Sequence, residues 1–195
     1  MFYLFHRLRT LFWSAFYHSI GRSVFAELGK GARFEGWIEI PQRGGAIRIG
    51  RNARICRGVE FSVGRGAELE IGDGVFLGRG VVLSAHRRIA IGPRSLLAEY
   101  VCLHDNDHVT TDSEAPIGER GFSAEPLEIG ADCWIGAHVV VVKGAALGNR
   151  CIVGAGGVVT HTIRDGALAV GVPAREAMPA RRTDRDEERG STGIA

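Results

Sequence analysis

Aliphatic side chains return at every sixth position between residues 127 and 160. They are Ile129, Ile135, Val141, Leu147, Val153 and Val159. This spacing fits neither the alternation of a strand nor the roughly 3.6-residue period of a helix, and it is typical of a solenoid whose chain turns a corner every six residues. Cys133 and Cys151 each stand four places after one of these aliphatic residues, where a tight corner leaves little room.

The same rhythm begins near the N-terminus and is grouped in triplets. The earlier triplets are Leu28, Phe34 and Ile40; Ile49, Ile55 and Phe61; Ile71, Leu77 and Leu83; and Ile91, Leu97 and Leu103. Together with the two later triplets they predict six coils, stacked to a height of about 29 Å at about 4.8 Å per coil. The steps between the earlier triplets are longer than six residues, which predicts lengthened, exposed turns such as 41–45 and 85–88 at one edge. We therefore expect an all-β solenoid domain over residues 27–178.

Residues 1–26 have the pattern of an amphipathic helix. Apolar residues such as Leu8 and Phe12 follow one face, whereas Arg7 and Arg9 interrupt the apolar run. For that reason we expect neither a secretory signal nor a membrane span. The helix is expected either to cap the open N-terminal end of the solenoid or to lie on a membrane surface.

The longest step between triplets contains the segment 104–126, which carries no repeat and is too polar to be buried. A long insertion in a compact domain is usually functional or disordered. This one contains two histidines, His104 and His108, and several aspartates, among them Asp107 and Asp112. We expect an extended loop that carries part of a functional site.

Composition narrows the possible functions. The 24 basic and 22 acidic residues give a formal net charge of +2, which provides no broad electropositive surface for nucleic acid. The four cysteines lack the spacing of a zinc finger and are expected to be free thiols in a reducing, cytoplasmic compartment. Residues 179–195 are charged and poor in apolar groups, which predicts a disordered tail.

The run CWIGAHVVVVKGAALGNRCIVGAGGVVTHTIRDGALAVGVPAR resembles the C-terminal coils of the hexapeptide-repeat acyltransferases. It is most similar to the sugar and polysaccharide O-acetyltransferases of the galactoside, maltose and nodulation type. The resemblance covers residues 28–178 and implies a left-handed parallel β-helix that forms a homotrimer with active sites between subunits. It also implies acetyl transfer from acetyl-CoA, without a metal, to a hydroxyl of a small-molecule or lipid-linked glycan acceptor.

In that family the general base lies a fixed distance after an Ile-Gly corner. The resemblance therefore identifies His108, and not His104, as the base that removes the proton of the acceptor hydroxyl. The sequence shows no pattern typical of a catalytic nucleophile, so direct transfer in a ternary complex is expected. Asp107 and Asp112 are expected to contact the acceptor, although Asp112 comes one residue later than the family pattern. Gly78 stands where the sugar acetyltransferases have an acceptor-binding asparagine.

The coenzyme positions are implied by the same resemblance. Trp134 is expected to border the active-site tunnel. Ala137 and Ala155 are separated by one coil of three hexapeptides and are therefore stacked, and they are expected to bind the pantetheine arm. The remaining expected coenzyme contacts are Thr160, His161 and, near the nucleotide phosphates, Arg175.

Two alternatives remain open at the level of sequence. A zinc enzyme resembling the γ-type carbonic anhydrases could use His86, His104 and His108, since His86 and His104 are also separated by three hexapeptides and could stack. A solenoid could also serve as a non-catalytic scaffold. For the favoured acetyltransferase, the basic and aromatic N-terminal helix suggests work at the cytoplasmic face of the inner membrane.

Overall fold

The predicted six-residue period sets the fold, because each aliphatic side chain of a triplet points into a common interior. A computed structural model describes residues 2–111 and 114–177. Asp112 and the predicted tail at 179–195 lie outside the described residues. One helix, α1 (Phe2–Val24), precedes the solenoid. No helix in these two ranges is long and apolar enough to cross a bilayer.

Each coil of the solenoid contributes three strands. The first two coils contain β1 (Glu27–Leu28), β2 (Arg33–Phe34), β3 (Glu39–Arg43), β4 (Ala46–Ile49), β5 (Arg54–Ile55) and β6 (Glu60–Val63). The next two contain β7 (Glu68–Ile71), β8 (Phe76–Leu77), β9 (Val82–Ala85), β10 (Arg88–Ile91), β11 (Leu96–Leu97) and β12 (Cys102–His104). An insertion follows, with β13 (Asn106–His108), a short 3-10 helix (Ile117–Glu119) and β14 (Phe122–Ala124). The last elements are β15 (Leu127–Ile129), β16 (Trp134–Ile135), β17 (Val140–Val141), β18 (Ala146–Leu147), β19 (Ile152–Val153), β20 (Val158–Val159), β21 (Leu168–Gly171) and β22 (Ala174–Ala177).

The coils stack into three parallel sheets, which form the faces of a prism. Face A holds the first strand of every coil, face B the second strand together with β21 and β22, and face C the third strand. We name the corners after the faces they join: the BC corner comprises residues 36–37, 57–58, 79–80, 99–100, 137–138 and 155–156, and the CA corner lies where face C gives way to the next coil. The six coils and the left-handed parallel β-helix confirm the predicted fold.

Register between coils follows the triplets. On face B, Phe34 pairs with Ile55, and the same column continues through Leu77, Leu97, Ile135 and Val153. Nearly all these side chains are fully buried, and they form one continuous apolar core. Ile40 is an exception and is only half-buried, because it lies within a register shift between Glu39 and Gln42.

Helix α1 packs over the first coil. Tyr17 is buried, and its hydroxyl oxygen accepts a hydrogen bond from the backbone N–H of Ile38 at 3.1 Å. The Ser14 hydroxyl accepts a hydrogen bond from the N–H of Phe34 at 3.0 Å, and the rings of Tyr17 and Phe34 are 4.5 Å apart. The helix therefore covers apolar side chains of the first coil and satisfies backbone donors at the N-terminal end of the solenoid.

Two expectations about the connections are corrected. The lengthened steps in the first coils do not form loops; they form longer strands on faces C and A, such as Glu60–Val63 and Glu68–Ile71, with alternating burial. The segment 104–126 is also more ordered than a polar loop, because β13 and β14 pair as an antiparallel hairpin. Paired backbone groups and a buried aspartate, described below, hold this polar segment in place.

Candidate active site

The insertion leaves the solenoid at a buried aspartate. Asp105 has no exposed surface, and its carboxylate accepts backbone hydrogen bonds from the N–H groups of His86, Arg87 and Arg88, each at 2.7 Å. Three charge-assisted bonds of this kind satisfy the carboxylate and fix the turn of the preceding coil. The sequence analysis missed this residue, because its partners are main-chain groups that only the coil register brings to it.

The hairpin presents His108 to solvent. In the β13–β14 pair, His108 lies opposite Phe122, and their ring centroids are 4.4 Å apart. The other neighbour of the Phe122 ring is His86, at 4.3 Å. His108 is therefore exposed and oriented by an aromatic contact, as a base must be if a substrate hydroxyl is to reach it.

A lysine from the following coil braces the hairpin. Lys143 follows β17 at the CA corner, and its ammonium donates a hydrogen bond to the Ser123 hydroxyl at 2.6 Å. The same Nζ atom is 3.5 Å from Oδ2 of Asp107, the residue that pairs with Ser123 across the hairpin. The lysine side chain is three-quarters buried, so this brace is shielded from solvent more than a surface ion pair. Asp107, predicted to contact the acceptor, is thus held one residue from His108.

The BC corner of the last two coils is almost bare backbone. Ala137 and Ala155 stack as predicted, and the N–H of Gly156 donates to the carbonyl of Ala137 at 2.9 Å. A Cβ atom added at Gly136 would lie 2.6 Å from the backbone nitrogen of Ala155, so the coils approach too closely for a side chain there. Trp134, just before this corner on face B, is 55% exposed. A ligand can therefore reach the main chain of both coils beside an aromatic surface.

The other three predicted coenzyme positions meet at the C-terminal end of the solenoid. Nη1 of Arg175 is 3.4 Å from Nδ1 of His161, and Oγ1 of Thr160 is 3.5 Å from the same nitrogen. Strand β22, which carries Arg175, is secured by three hydrogen bonds that Arg164 donates to the Glu176 carboxylate. The hydrogen bonds from Arg164 also hold the pKa of Glu176 below its usual range.

The predicted base and the predicted coenzyme strip lie at different corners of the chain. His108 projects from the CA corner, whereas Ala137 and Ala155 lie at the BC corner, and the strands of face C run between them. The single chain therefore brings His108 together with Asp107, and Thr160 with His161 and Arg175. It does not unite His108 with Ala137 and Ala155.

The stacking expected for a zinc site is wrong. In strands β9 and β12, His104 pairs with Ser84, so the offset between these coils is longer than three hexapeptides and His86 does not stack on His104. Phe122 contacts the rings of both His86 and His108. Within residues 2–111 and 114–177 no three His, Cys, Asp or Glu side chains are grouped so as to hold a metal ion. The zinc alternative is accordingly less favoured than acyl transfer.

Gly78 differs from the sugar acetyltransferases for a steric reason. A Cβ atom at this position would lie 2.7 Å from the carbonyl carbon of Ala98 and 2.8 Å from the nitrogen of Glu99. An asparagine side chain cannot be added without moving the backbone of the next coil. The asparagine of the sugar acetyltransferases therefore has no counterpart at this position.

A depression of about 890 Å³ on face A is not a convincing alternative site. Several of its charged side chains already have ion-pair partners: Arg88 pairs with Glu70 and Glu128, which also line it, and Arg48 pairs with Glu68. Because these charges offset each other, the depression offers little attraction for a charged ligand. None of the predicted site residues lines it.

Comparison with known proteins agrees with this geometry. Residues 126–161 match the family model described as the hexapeptide repeat of succinyl-transferase. A probable acetyltransferase of Mycobacterium tuberculosis is 39% identical over 101 residues, which cover 52% of this chain and 34% of that protein. The galactoside O-acetyltransferase of Escherichia coli is 32% identical over 160 residues, which cover 80% of this chain and 65% of that protein. The chain thus spans less than two thirds of the length of either relative.

Among solved structures, an N-acyltransferase of Bacillus cereus in complex with dTDP and 3-hydroxybutyryl-CoA has a TM-score of 0.72 at 20% identity, over 89% of this chain and 92% of that one. At that identity the likeness shows the fold. The solenoid and its repeats define a hexapeptide-repeat, left-handed β-helix protein. Together with the two relatives, they make the chain similar to the hexapeptide-repeat acyltransferases.

Proposed function

We propose that this protein transfers an acetyl group from acetyl-CoA to a hydroxyl of a sugar or glycan precursor, with His108 as the general base. The observation that carries the proposal is that the chain presents an exposed, aromatic-supported His108 on a projecting hairpin and, at a different corner, two stacked alanines on accessible backbone. The names of the two relatives, one of them a galactoside O-acetyltransferase, support the reaction class.

The proposed reaction is direct. The His108 imidazole takes the proton of the acceptor hydroxyl as that oxygen attacks the thioester carbonyl carbon, forming a tetrahedral intermediate. The C–S bond then breaks, the carbonyl re-forms in the product ester, and the coenzyme leaves as a thiol after receiving the proton from the imidazolium. No covalent enzyme intermediate is required, since acceptor and donor are bound together.

The donor is proposed to lie along the BC corner of the last two coils. The pantetheine arm is itself a chain of amides, so it can exchange hydrogen bonds with free main-chain groups beside Ala137 and Ala155. Trp134 would border the arm, and the cluster of Thr160, His161 and Arg175 would hold the charged nucleotide end. An arginine suits phosphate because its planar fork can donate two parallel hydrogen bonds.

We propose a homotrimer because the two halves of the site lie at different corners of one chain. A neighbouring copy could bring its coenzyme strip to the His108 hairpin, so the site would form between subunits. An apolar column on face B gives such a copy a surface to cover: Leu96, Trp134 and Ile152 are adjacent in register and 47%, 55% and 40% exposed. Exposed apolar columns of this kind are typical of interaction surfaces. Sedimentation equilibrium measures the assembly, and a monomer would contradict it.

The acceptor is proposed to contact Asp107 beside the base, and the corresponding proposal for Asp112 rests on sequence alone. Helix α1 supports a peripheral position at the cytoplasmic face of the inner membrane, because Leu8, Leu11 and Phe12 are exposed on its surface. Co-sedimentation with vesicles containing anionic lipid tests this, and a wholly unbound protein would contradict it.

The decisive experiment compares two histidines of the same segment. Acetyl-CoA turnover is measured against a panel of sugars and glycan precursors for the native protein, for His108→Ala and for His104→Ala. Loss of a general base is expected to lower kcat by about 10²- to 10⁴-fold in His108→Ala, with acetyl-CoA affinity unchanged. The His104→Ala protein should retain its activity. Full activity in His108→Ala would refute the role of the base, and no thioester cleavage with any acceptor would favour the non-catalytic scaffold.

A further inference from the structure

A second cleft lies at the BC corner of the first four coils, beneath α1. Its volume is about 610 Å³, and it is lined chiefly by three arginines and three aromatic residues. These are Arg9, Trp13, Trp37, Arg57, Arg79 and Tyr100. None of them belongs to the base or to the proposed coenzyme strip, so the cleft requires an explanation of its own.

The cleft carries positive charge that the described part of the chain does not neutralise. The Nε atom of Arg9 is buried without a hydrogen-bond partner, and across residues 2–111 and 114–177 neither Arg57 nor Arg79 forms an ion pair. Glu35 also lines the cleft, but its carboxylate is 2.6 Å from Nε of Arg54.

Glu99 is the other carboxylate of this corner, directly before Tyr100. It is exposed and, among the residues that the structure describes, makes no ion pair with the arginines of the cleft. The guanidinium of Arg79 instead lies over the Tyr100 ring, with 5.4 Å between its carbon and the ring centroid. An arginine stacked on an aromatic ring keeps its N–H fork free for a ligand.

The aromatic side chains connect this cleft to the proposed donor strip. The Tyr100 ring stacks on His138 with 5.1 Å between centroids and 15° between planes, and His138 directly follows Ala137. Both Tyr100 and His138 have φ near +59°, so their side chains are projected from the corner. The corner therefore runs without interruption from the arginines, through this stack, to the backbone where the acetyl donor is proposed to lie.

We infer that the cleft is the acceptor subsite and that it binds a sugar linked through a diphosphate. The inference rests on the proposed acetyl transfer and homotrimer, in which the cleft and the coenzyme strip of one copy face the His108 hairpin of its neighbour, and it specifies the substrate class. Arg57 and Arg79 occupy successive coils, about 4.8 Å apart in a parallel sheet. Two guanidinium groups carried by successive coils, with Arg9 as a third, suit two linked phosphates better than a single carboxylate. The aromatic surfaces beside them suit the flat, apolar face of a sugar ring.

A diphosphate-linked sugar can come from two sources, a nucleotide or an isoprenoid lipid. The exposed residues Leu8, Leu11 and Phe12 lie on α1 beside Arg9 and offer an apolar surface that suits a lipid chain and not a nucleotide. The experiment therefore includes one ligand of each kind.

Binding is measured by calorimetry with three probes: inorganic pyrophosphate, uridine diphosphate N-acetylglucosamine, and an isoprenyl diphosphate N-acetylglucosamine in detergent. Each of Arg57→Gln and Arg79→Gln is expected to weaken binding on the order of tenfold, and added salt should weaken the native protein further. Arg65→Gln is the matched control, because Arg65 is an exposed arginine of the same coil as Arg57 at the CA corner. A nucleotide source is indicated if Leu11→Ser leaves the affinity for both sugars unchanged, and a lipid source if it weakens only the isoprenyl ligand.

The inference is overturned if pyrophosphate does not bind, or if it binds equally to the native protein and to both arginine variants. Arg57→Lys serves as a second variant should Arg57→Gln fold poorly, since it keeps the charge but loses the fork. Acetyl-CoA affinity should be the same in every arginine variant. Arginine-dependent binding without acetyl transfer would refute the proposed function alone, whereas His108-dependent transfer that is insensitive to Arg57 and Arg79 would refute the subsite alone.

Discussion

The last two coils and the first four coils use one corner of the same solenoid in opposite ways. In the last two, the BC corner holds Ala137 and Ala155, and apart from the His138 ring it offers a ligand mainly main-chain groups. In the earlier coils the same corner carries Arg57, Arg79 and Tyr100. Small residues at the corner of a regular repeat leave the backbone accessible to a ligand. Larger residues at the same corner add side-chain chemistry and leave the fold unchanged.

The strands also differ in length between the two regions. On faces A and C, the second and third coils have four-residue strands, and the last two coils have strands of two or three residues. The His108 hairpin is inserted between these regions, rooted in the fourth coil by Asp105 and braced from the fifth by Lys143. The proposed chemistry thus takes place where the first four coils, whose BC corner carries arginine and aromatic side chains, meet the last two coils, whose BC corner is mainly backbone.

The largest effect on stability is expected at the junction of the two regions. Asp105→Asn would place an amide NH₂ against backbone N–H groups and remove the charge that three of them share, at a cost of about 3 kcal/mol. Urea unfolding measures the loss, and limited proteolysis should cut the hairpin more rapidly. Glu119→Gln, the same kind of substitution at an exposed position of the same segment, is the control and should unfold within about 0.5 kcal/mol of the native protein. Equal stability of the two variants would contradict the anchoring role of Asp105.

A smaller loss of stability is expected when a single methyl group is added at the BC corner of the last two coils. Gly136→Ala would force apart the corner at Ala155, destabilising the protein by about 2 kcal/mol and weakening acetyl-CoA binding. Gly118→Ala introduces the same group where no heavy atom lies within 4 Å, so its unfolding midpoint should not change. If both variants retain native acetyl-CoA affinity, the coenzyme strip has been placed at the wrong corner.

The brace between the regions should affect rate more than stability. Lys143→Met removes the ammonium bound to Ser123 and keeps most of the apolar stem, so His108 would be less well positioned and kcat should fall about tenfold. The affinity for acetyl-CoA, measured by equilibrium dialysis, should be unchanged. An unaltered kcat would show that the hairpin positions its histidine without the lysine.

The smallest effect on stability concerns Cys56, which follows β5 in the second coil. Burial, followed by the nearby Glu35 carboxylate, raises the pKa of this thiol to about 12. The thiol therefore stays protonated, and alkylation at about pH 8.5 should be more than about a hundredfold slower in the native protein than in guanidinium. Because the folded pKa is the higher one, the associated stability is present below the unfolded pKa of about 8.5 and is lost as the pH rises toward 12. Peptide mass spectrometry after timed alkylation measures the rate, and rapid native labelling would contradict the assignment.

Most of the architecture could be predicted because the repeat is local. An aliphatic residue at every sixth position fixes which side chains face inwards, and the register from Ile91 to Ile129 holds even across the insertion. The site could be predicted only in part. His108 could be predicted through the family resemblance. Asp105 and Lys143 could not, because their partners lie one coil away. The length of a coil also changes along the chain, so those partners cannot be found by adding a constant spacing.

The sequence by itself determined the six coils, the inward columns, the helical N-terminal segment and the small residues of the last two corners. These depend on periodicity and residue size, which can be read along the chain. Only the tertiary structure decided that the polar insertion is a hairpin and that His86 does not stack on His104. It also decided that Arg9, from the helix, joins Arg57 and Arg79 in one cleft. Such contacts arise from stacking between coils and from helix docking, where residues distant in sequence meet at spacings that no local pattern records.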